Sequence, residues 1–241
     1  MKKNTLNKIN IVMFFITLII NYLIATSKFP GLMAQKVVSN MYDTSITPIG
    51  FTFSIWGVIY LLLFLSLVWM YKQKSMKRTI GIIILFMMIL NIMWNVFFGL
   101  RWIGLSVVII VIYWLTLILI VNKLKKEKIS LSSTAFGLHL GWITIATVVN
   151  IYAYLVKINF EHLKNNADFW TILGITVVLL LTTILTRLFK NFAIPLVIAW
   201  AIFGIYAKDD VYITYTFIPN MLKIVITGLI GMVAGVFVKN R

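Results

Sequence analysis

Three apolar stretches of the chain carry Trp, Asn and Tyr at the spacing of one helix face. Phe53, Trp56, Tyr60 and Phe64 make one stripe, Asn91, Trp94, Asn95 and Phe98 a second, and His139, Trp142, Ala146 and Asn150 a third. At about 100° per residue each set falls on one side of its helix, with Ala146 leaving space in the middle of the third. Aromatic rings offer flat contact area and carboxamides offer oriented donors and acceptors. A pocket for a planar, mainly apolar ligand needs that combination. The same Asn residues also suit interhelical bonding, at about 0.6 and at most about 2 kcal/mol per bond. Spacing alone leaves both uses open.

Other chemistries lack their equipment. No Asp or Glu falls inside an apolar run, and no Lys or Arg falls away from a run's end. Proton pumping and catalysis by paired carboxylates both depend on such groups. With no Cys and two His, His139 and His162, thiolate and multi-histidine metal sites are excluded too. His139, inside an apolar run, reads either as a hydrogen-bonded packing residue or as an axial ligand or proton carrier. No catalytic residue and no metal ligand is assigned.

The elements that must position these stripes are membrane spans. The chain of 241 residues is 61% hydrophobic and 12% charged, against about 45–50% and 25% in soluble domains. Eight apolar runs, at 9–25, 51–71, 79–99, 104–122, 134–156, 169–189, 192–207 and 219–238, predict an all-α integral membrane protein with eight transmembrane helices. The first run follows a basic start, as a cleaved leader would. Asn21 interrupts it and no small-x-small site follows, so it reads as a retained helix.

The formal charge of +16 is not a nucleic-acid signature, because the basic residues sit in short connections between spans. One side holds 15 of the 22: Lys2, Lys3, Lys8, Lys72, Lys74, Lys77, Arg78, Lys123, Lys125, Lys126, Lys128, Arg187, Lys190, Lys239 and Arg241. The other holds Lys28, Lys36, Arg101, Lys157, Lys164, Lys208 and Lys223, with five of the six acids, Asp43, Glu161, Asp168, Asp209 and Asp210. Basic loops stay in the cytoplasm, which predicts both termini there and residence in the cell membrane. The longest connection, 26–50, falls on the outer side, as a cap over an opening in the bundle or as a surface loop. In the last run Gly231 and Gly235 form a GxxxG, read as a packing surface within the bundle or in a homodimer.

At the stripes the chain resembles the TspO/MBR family, the tryptophan-rich sensory proteins related to the mitochondrial translocator protein. The residues that carry the likeness are Thr47-Pro48-Ile49-Gly50 followed by Trp56 and Tyr60; Asn91 and Trp94 followed by Phe97-Phe98, then Gly99-Leu-Arg101-Trp-Ile-Gly104 running on to Trp114; and Trp142 eight residues before Asn150. The likeness covers roughly 9–156. It implies a five-helix domain over residues 1–156 and a three-helix extension over 157–241. The acidic residue often found early in the family's fourth helix is Ile109 here, and the proline opening the fifth-helix motif is Leu138.

The resemblance further implies a cavity under the first loop that takes tetrapyrroles or sterols. Carried over by position, Trp56, Asn91, Trp94, Trp114, Trp142 and Asn150 line it, and Pro48 and Gly50 shape its lid. Tyr60, Asn95 and His139 join them from the stripes. The expected function is binding of such a ligand for sensing, carriage or regulation, with a porphyrin as one guest and no cofactor required. Lys28, Lys36 and Arg101 stand on the lid side, as partners for ligand carboxylates or as ordinary solvated charges. The rival is a transporter whose path the last helices complete, using Thr176, Thr182, Thr183 and Thr186; a pigment-modifying enzyme is the third reading.

Overall fold

The computed structural model describes residues 3–73, 75–125, 130–208 and 217–239. Among the orientation charges, Lys2, Lys74, Lys126, Lys128, Asp209, Asp210 and Arg241 lie outside the described residues, as do the side chains of Lys3, Lys164 and Lys239. The described residues form helices and no strand: α1 (Lys3–Ala25), α2 (Gln35–Met41), a 3₁₀ turn (Gly50–Ser54), α3 (Ile55–Lys72), α4 (Arg78–Gly99), α5 (Ile103–Leu124), α6 (Leu131–Lys157), α7 (His162–Asn165), α8 (Ala167–Phe189), α9 (Ala193–Tyr206) and α10 (Phe217–Lys239). In hydrocarbon a helix is the one open-chain form that satisfies its own backbone. The long apolar runs therefore become helices, and polar residues mark their ends. Ser130 caps α6 by accepting from the Ser133 N–H at 3.1 Å, and Lys190 ends α8 in the left-handed conformation, φ 51°.

Among the described residues, seven helices are long and apolar enough to cross a membrane. The seventh of the eight runs expected to span is not among them. It forms α9, only 14 residues, which at 1.5 Å per residue covers about 21 Å of a core about 30 Å thick. Helix α9 is buried inside the protein along most of its length, between α8 and α10 in the chain. Outward faces of the long helices carry Val12, Ile19, Leu61, Leu119, Leu180 and Ile230, all more than half exposed. The bilayer is the medium that covers such a surface.

Helix α6 is the most buried span and α10 the least. Helices α3, α5, α8 and α9 all pack on α6, and α1 lies against α3 and α4. The contact of α6 with α9 depends on two small residues one turn apart. A Cβ on Gly137 would collide with the Asn191 side chain, and one on Gly141 with Val197 and with the Ile194 carbonyl oxygen. Absent side chains let the two backbones approach. The GxxxG read from the last run is not what packs here: around Gly228, Gly231 and Gly235 an added Cβ meets nothing within 4 Å.

That contrast gives an expected pair of outcomes. Gly141→Leu overpacks the α6–α9 contact and should destabilise the protein by at least about 1–3 kcal/mol, seen as a lower thermal midpoint in detergent. Gly231→Ala should lie within about 0.5 kcal/mol of the parent; equal losses in the two variants would contradict the packing described.

Candidate ligand-binding site

Within the upper half of the bundle the three stripes turn toward each other. Trp56 stacks on Tyr60, with ring centroids 5.2 Å apart and planes at 19°. It meets Trp94 and Trp142 at 6.3 Å each and the His139 ring at 5.7 Å, edge to face. Trp56, Trp94, Trp142 and His139 are all buried. Phe64, the last member of its stripe, lies outside this group and stacks on Phe14 of α1.

The carboxamides form a continuous chain between helices. Asn21 of α1 donates to the Tyr60 hydroxyl at 2.7 Å and to Asn91 Oδ1 at 2.6 Å. Asn91 Nδ2 donates to the Tyr113 hydroxyl of α5 at 2.8 Å, and that hydroxyl bonds His139 Nε2 of α6. Asn95 donates to the Asn91 carbonyl at 3.0 Å and accepts from Gln35 Nε2 of α2. Six helices are tied by one run of bonds. A second set lies alongside, where the Trp94 indole N–H donates to Asn150 Oδ1 at 2.8 Å and Asn150 Nδ2 to Ser106 Oγ at 3.0 Å.

The Tyr113 hydroxyl accepts from Asn91, so its own proton is directed to His139 Nε2, which leaves the imidazole proton on Nδ1. His139 Nδ1 and the indole nitrogens of Trp56 and Trp142 are buried and have no partner among the described residues. Three N–H donors gathered around Trp56 are thus unsatisfied, each at a cost of about 1–3 kcal/mol.

Two spaces adjoin this cluster. A groove of about 290 Å³ between α1, α2 and α3 is lined by Asn21, Tyr22, Gln35, Lys36, Phe53, Trp56, Tyr60 and Asn95 among others. Tyr22 and Lys36 are exposed, so it opens at the side of the bundle. A void of about 40 Å³, room for two or three waters, is lined by Pro48, Trp94, Trp142, Ala146 and Asn150. Gln35 and Phe53 line both spaces and stand between them.

The lid is built from both ends of the chain. Loop 26–50 folds over α4, with the Met33 N–H donating to the Gly99 carbonyl at 3.2 Å. Helix α9 holds the turn that leads into α3: the Trp200 indole donates to the Thr52 carbonyl at 3.0 Å, and the Ile49 N–H to the Gly204 carbonyl at 3.2 Å. A Cβ on Gly204 would strike Thr52. Lys208, beyond α9, pairs with Asp43 at 2.7 Å.

Of the residues expected at the site, Trp56, Tyr60 and Asn95 line the groove, Pro48, Trp94, Trp142 and Asn150 line the void, and Asn91 and His139 lie behind them in the bonded chain. Two are placed elsewhere. Trp114 donates to Thr144 Oγ1 at 2.9 Å between α5 and α6, and Gly50 is exposed at the start of its turn. Lys36 stands at the groove, whereas Lys28 sits 5.8 Å over the Tyr22 ring and the Arg101 carbonyl accepts from Lys157. None of Thr176, Thr182, Thr183 and Thr186 lines either space. The sequence reading missed Gln35 and passed over Asn21 as a mere interruption. An amide in mid-run was the signal for Asn21, while Gln35 in a polar loop gave none.

Fold and site together define an all-helical integral membrane protein with aromatic and carboxamide groups gathered under a loop-and-helix lid. The chain belongs to the TSPO-like protein family, which it matches over residues 7–238. The match takes in the last three helices together with the first five. No curated protein and no solved structure matches it.

The Trp94–Asn150 bond supplies a direct test of the geometry. A double-mutant cycle with Trp94→Phe and Asn150→Ala should give a coupling of about 0.6–2 kcal/mol in unfolding free energy. A coupling near zero would contradict the bond.

Proposed function

We propose that the protein binds a planar, mainly apolar small molecule, of tetrapyrrole or sterol type, in the groove between α1, α2 and α3, for sensing, carriage or regulation. The observation that supports this most is the groove's wall, in which Trp56, Tyr60 and Phe53 stand beside the carboxamides of Asn21, Gln35 and Asn95. Rings provide stacking area and amides fix the ligand's polar edge. The unsatisfied donors of Trp56 and Trp142, which line the groove and the void, favour a guest whose edge carries acceptor oxygens.

The groove, at about 290 Å³, lies at the lower end of the roughly 300–1,000 Å³ usual for small-molecule sites. A compact ring system fits as it stands. A tetrapyrrole requires the groove and the inner void to join, and Gln35 and Phe53 are the side chains that must turn aside. Gln35 belongs to a helix of seven residues, too short to hold itself by its own hydrogen bonds. Helix α2 is thus the part of the lid that yields at least cost. The basic bias of the loops supports a cell-membrane location with both termini in the cytoplasm.

Titration of the purified protein with protoporphyrin IX tests the reading through the porphyrin absorbance and the indole fluorescence. A saturable change is expected, weakened on the order of tenfold or more in Trp56→Ala, since loss of one stacked ring costs about 1–3 kcal/mol. Trp114→Phe should leave it unchanged. No saturable change, or one that Trp56→Ala and Trp142→Ala both leave intact, would overturn the proposal.

A further inference from the structure

A separate cleft lies at the other end of the molecule, far along the chain from the stripes. Helices α8 and α10 both pack on α9 and leave about 500 Å³ between them. Arg187, Lys190, Thr183 and Thr186 of the last turns of α8 and its cap form one side, and Met232, Gly235 and Val236 of α10 form the other. Beside the cleft, the Phe192 and Phe237 rings meet at 4.6 Å and join α10 to the start of α9.

One wall is cationic and the other apolar. Arg187 and Lys190, three residues apart, are exposed and form no ion pair among the described residues. Cations at a helix C-terminus are favourable in themselves, so it is the cleft beside them that points to a ligand. Among the described residues no carboxylate lines it. Thr171 and Thr182 on the same helix donate to the carbonyl four residues back, at 2.7 and 2.6 Å. Thr186 does not: it is buried and its hydroxyl has no partner among the described residues. Turning that hydroxyl into the cleft gains a bond and breaks none.

The opposite wall has room for a chain rather than a side chain, since a Cβ at Gly235 would meet nothing within 4 Å. Leu180, Ile184 and Leu188 of α8 and Ile230 of α10 continue outward as exposed apolar surface. Cations at the end of a span, above an apolar slot that runs into the membrane, match a molecule with an anionic head and hydrocarbon tails.

We propose that this cleft holds an anionic phospholipid of the surrounding bilayer, its phosphate on Arg187, Lys190 and Thr186 and an acyl chain along Met232, Gly235 and Val236. The lipid fills the gap that α8 and α10 leave and fastens α10 to the rest of the bundle.

Native mass spectrometry and thermal unfolding of the full chain, delipidated in detergent and supplied with phosphatidylglycerol, phosphatidylcholine or inorganic phosphate, test this. Phosphatidylglycerol should be retained on the order of tenfold better than phosphatidylcholine and should raise the unfolding temperature, for two basic contacts. Arg187→Gln with Lys190→Gln should abolish the preference. Gly235→Leu, which fills the slot and keeps both charges, should abolish it as well. Lys123→Gln, which removes a charge from the last turn of α5, should retain it. Equal retention of the two lipids, a preference that survives both cleft variants, or one that Lys123→Gln removes equally would overturn the proposal. So would a full effect from inorganic phosphate, which would make this a soluble-anion site.

Discussion

A carboxamide in hydrocarbon has no water to bond, so it must reach another helix or remain unsatisfied. Everything at the candidate site follows from that constraint. Asn21, Asn91 and Asn95 meet it by bonding to one another and to Tyr60, Tyr113 and Gln35, with Asn21 Oδ1 left without a partner among the described residues, and the run of bonds ends on His139. Each bond contributes only about 0.6 kcal/mol in a membrane, but a misplaced helix would strand several groups at once. The chain therefore fixes the rotation of α1, α3, α4, α5 and α6 about their axes. That rotation turns the indoles inward.

The rings do not all gain a polar partner from this arrangement. Trp94 finds Asn150, while Trp56 and Trp142 are packed edge to face with their N–H groups unbonded among the described residues. Packing against aromatic neighbours keeps them in place despite that cost. A stability-optimised core would have placed apolar residues there; under the proposed function the cluster is kept for a guest. Helix α9 contributes from outside the five-helix unit. Through Trp200 and Gly204 it fixes the turn that carries Pro48 and Phe53, so the extension helps to set the shape of the lid.

The stripes were legible in the sequence because helical periodicity and membrane composition are both strong signals. They placed Trp56, Asn91, Trp94, Asn95, Trp142 and Asn150 on facing surfaces, and Ala146 does leave space, as a wall of the inner void. Partners supplied by loops were not legible, since Gln35 reaches Asn95 only through the path of residues 26–50. Small-residue motifs were ambiguous for a related reason. Gly137 and Gly141 are four apart, like Gly231 and Gly235, and only tertiary structure shows which pair meets a neighbour. Trp114 was placed by resemblance alone, and its indole is engaged by Thr144 instead. The length of α9 was visible as a short run, but hydropathy carries no information on whether such a run crosses the bilayer or lies inside the protein.

The account stands or falls on the inward face of α3 being the one that meets a planar guest. Photolabelling with a diazirine-bearing porphyrin in bilayers, followed by mass-spectrometric mapping of the modified residues, reads that face directly. The account predicts labels on Trp56, Tyr60 and Asn95, suppressed by excess unlabelled porphyrin. Labels confined to Leu61, Leu65 and other lipid-facing residues of the same helix, and insensitive to competitor, would contradict it.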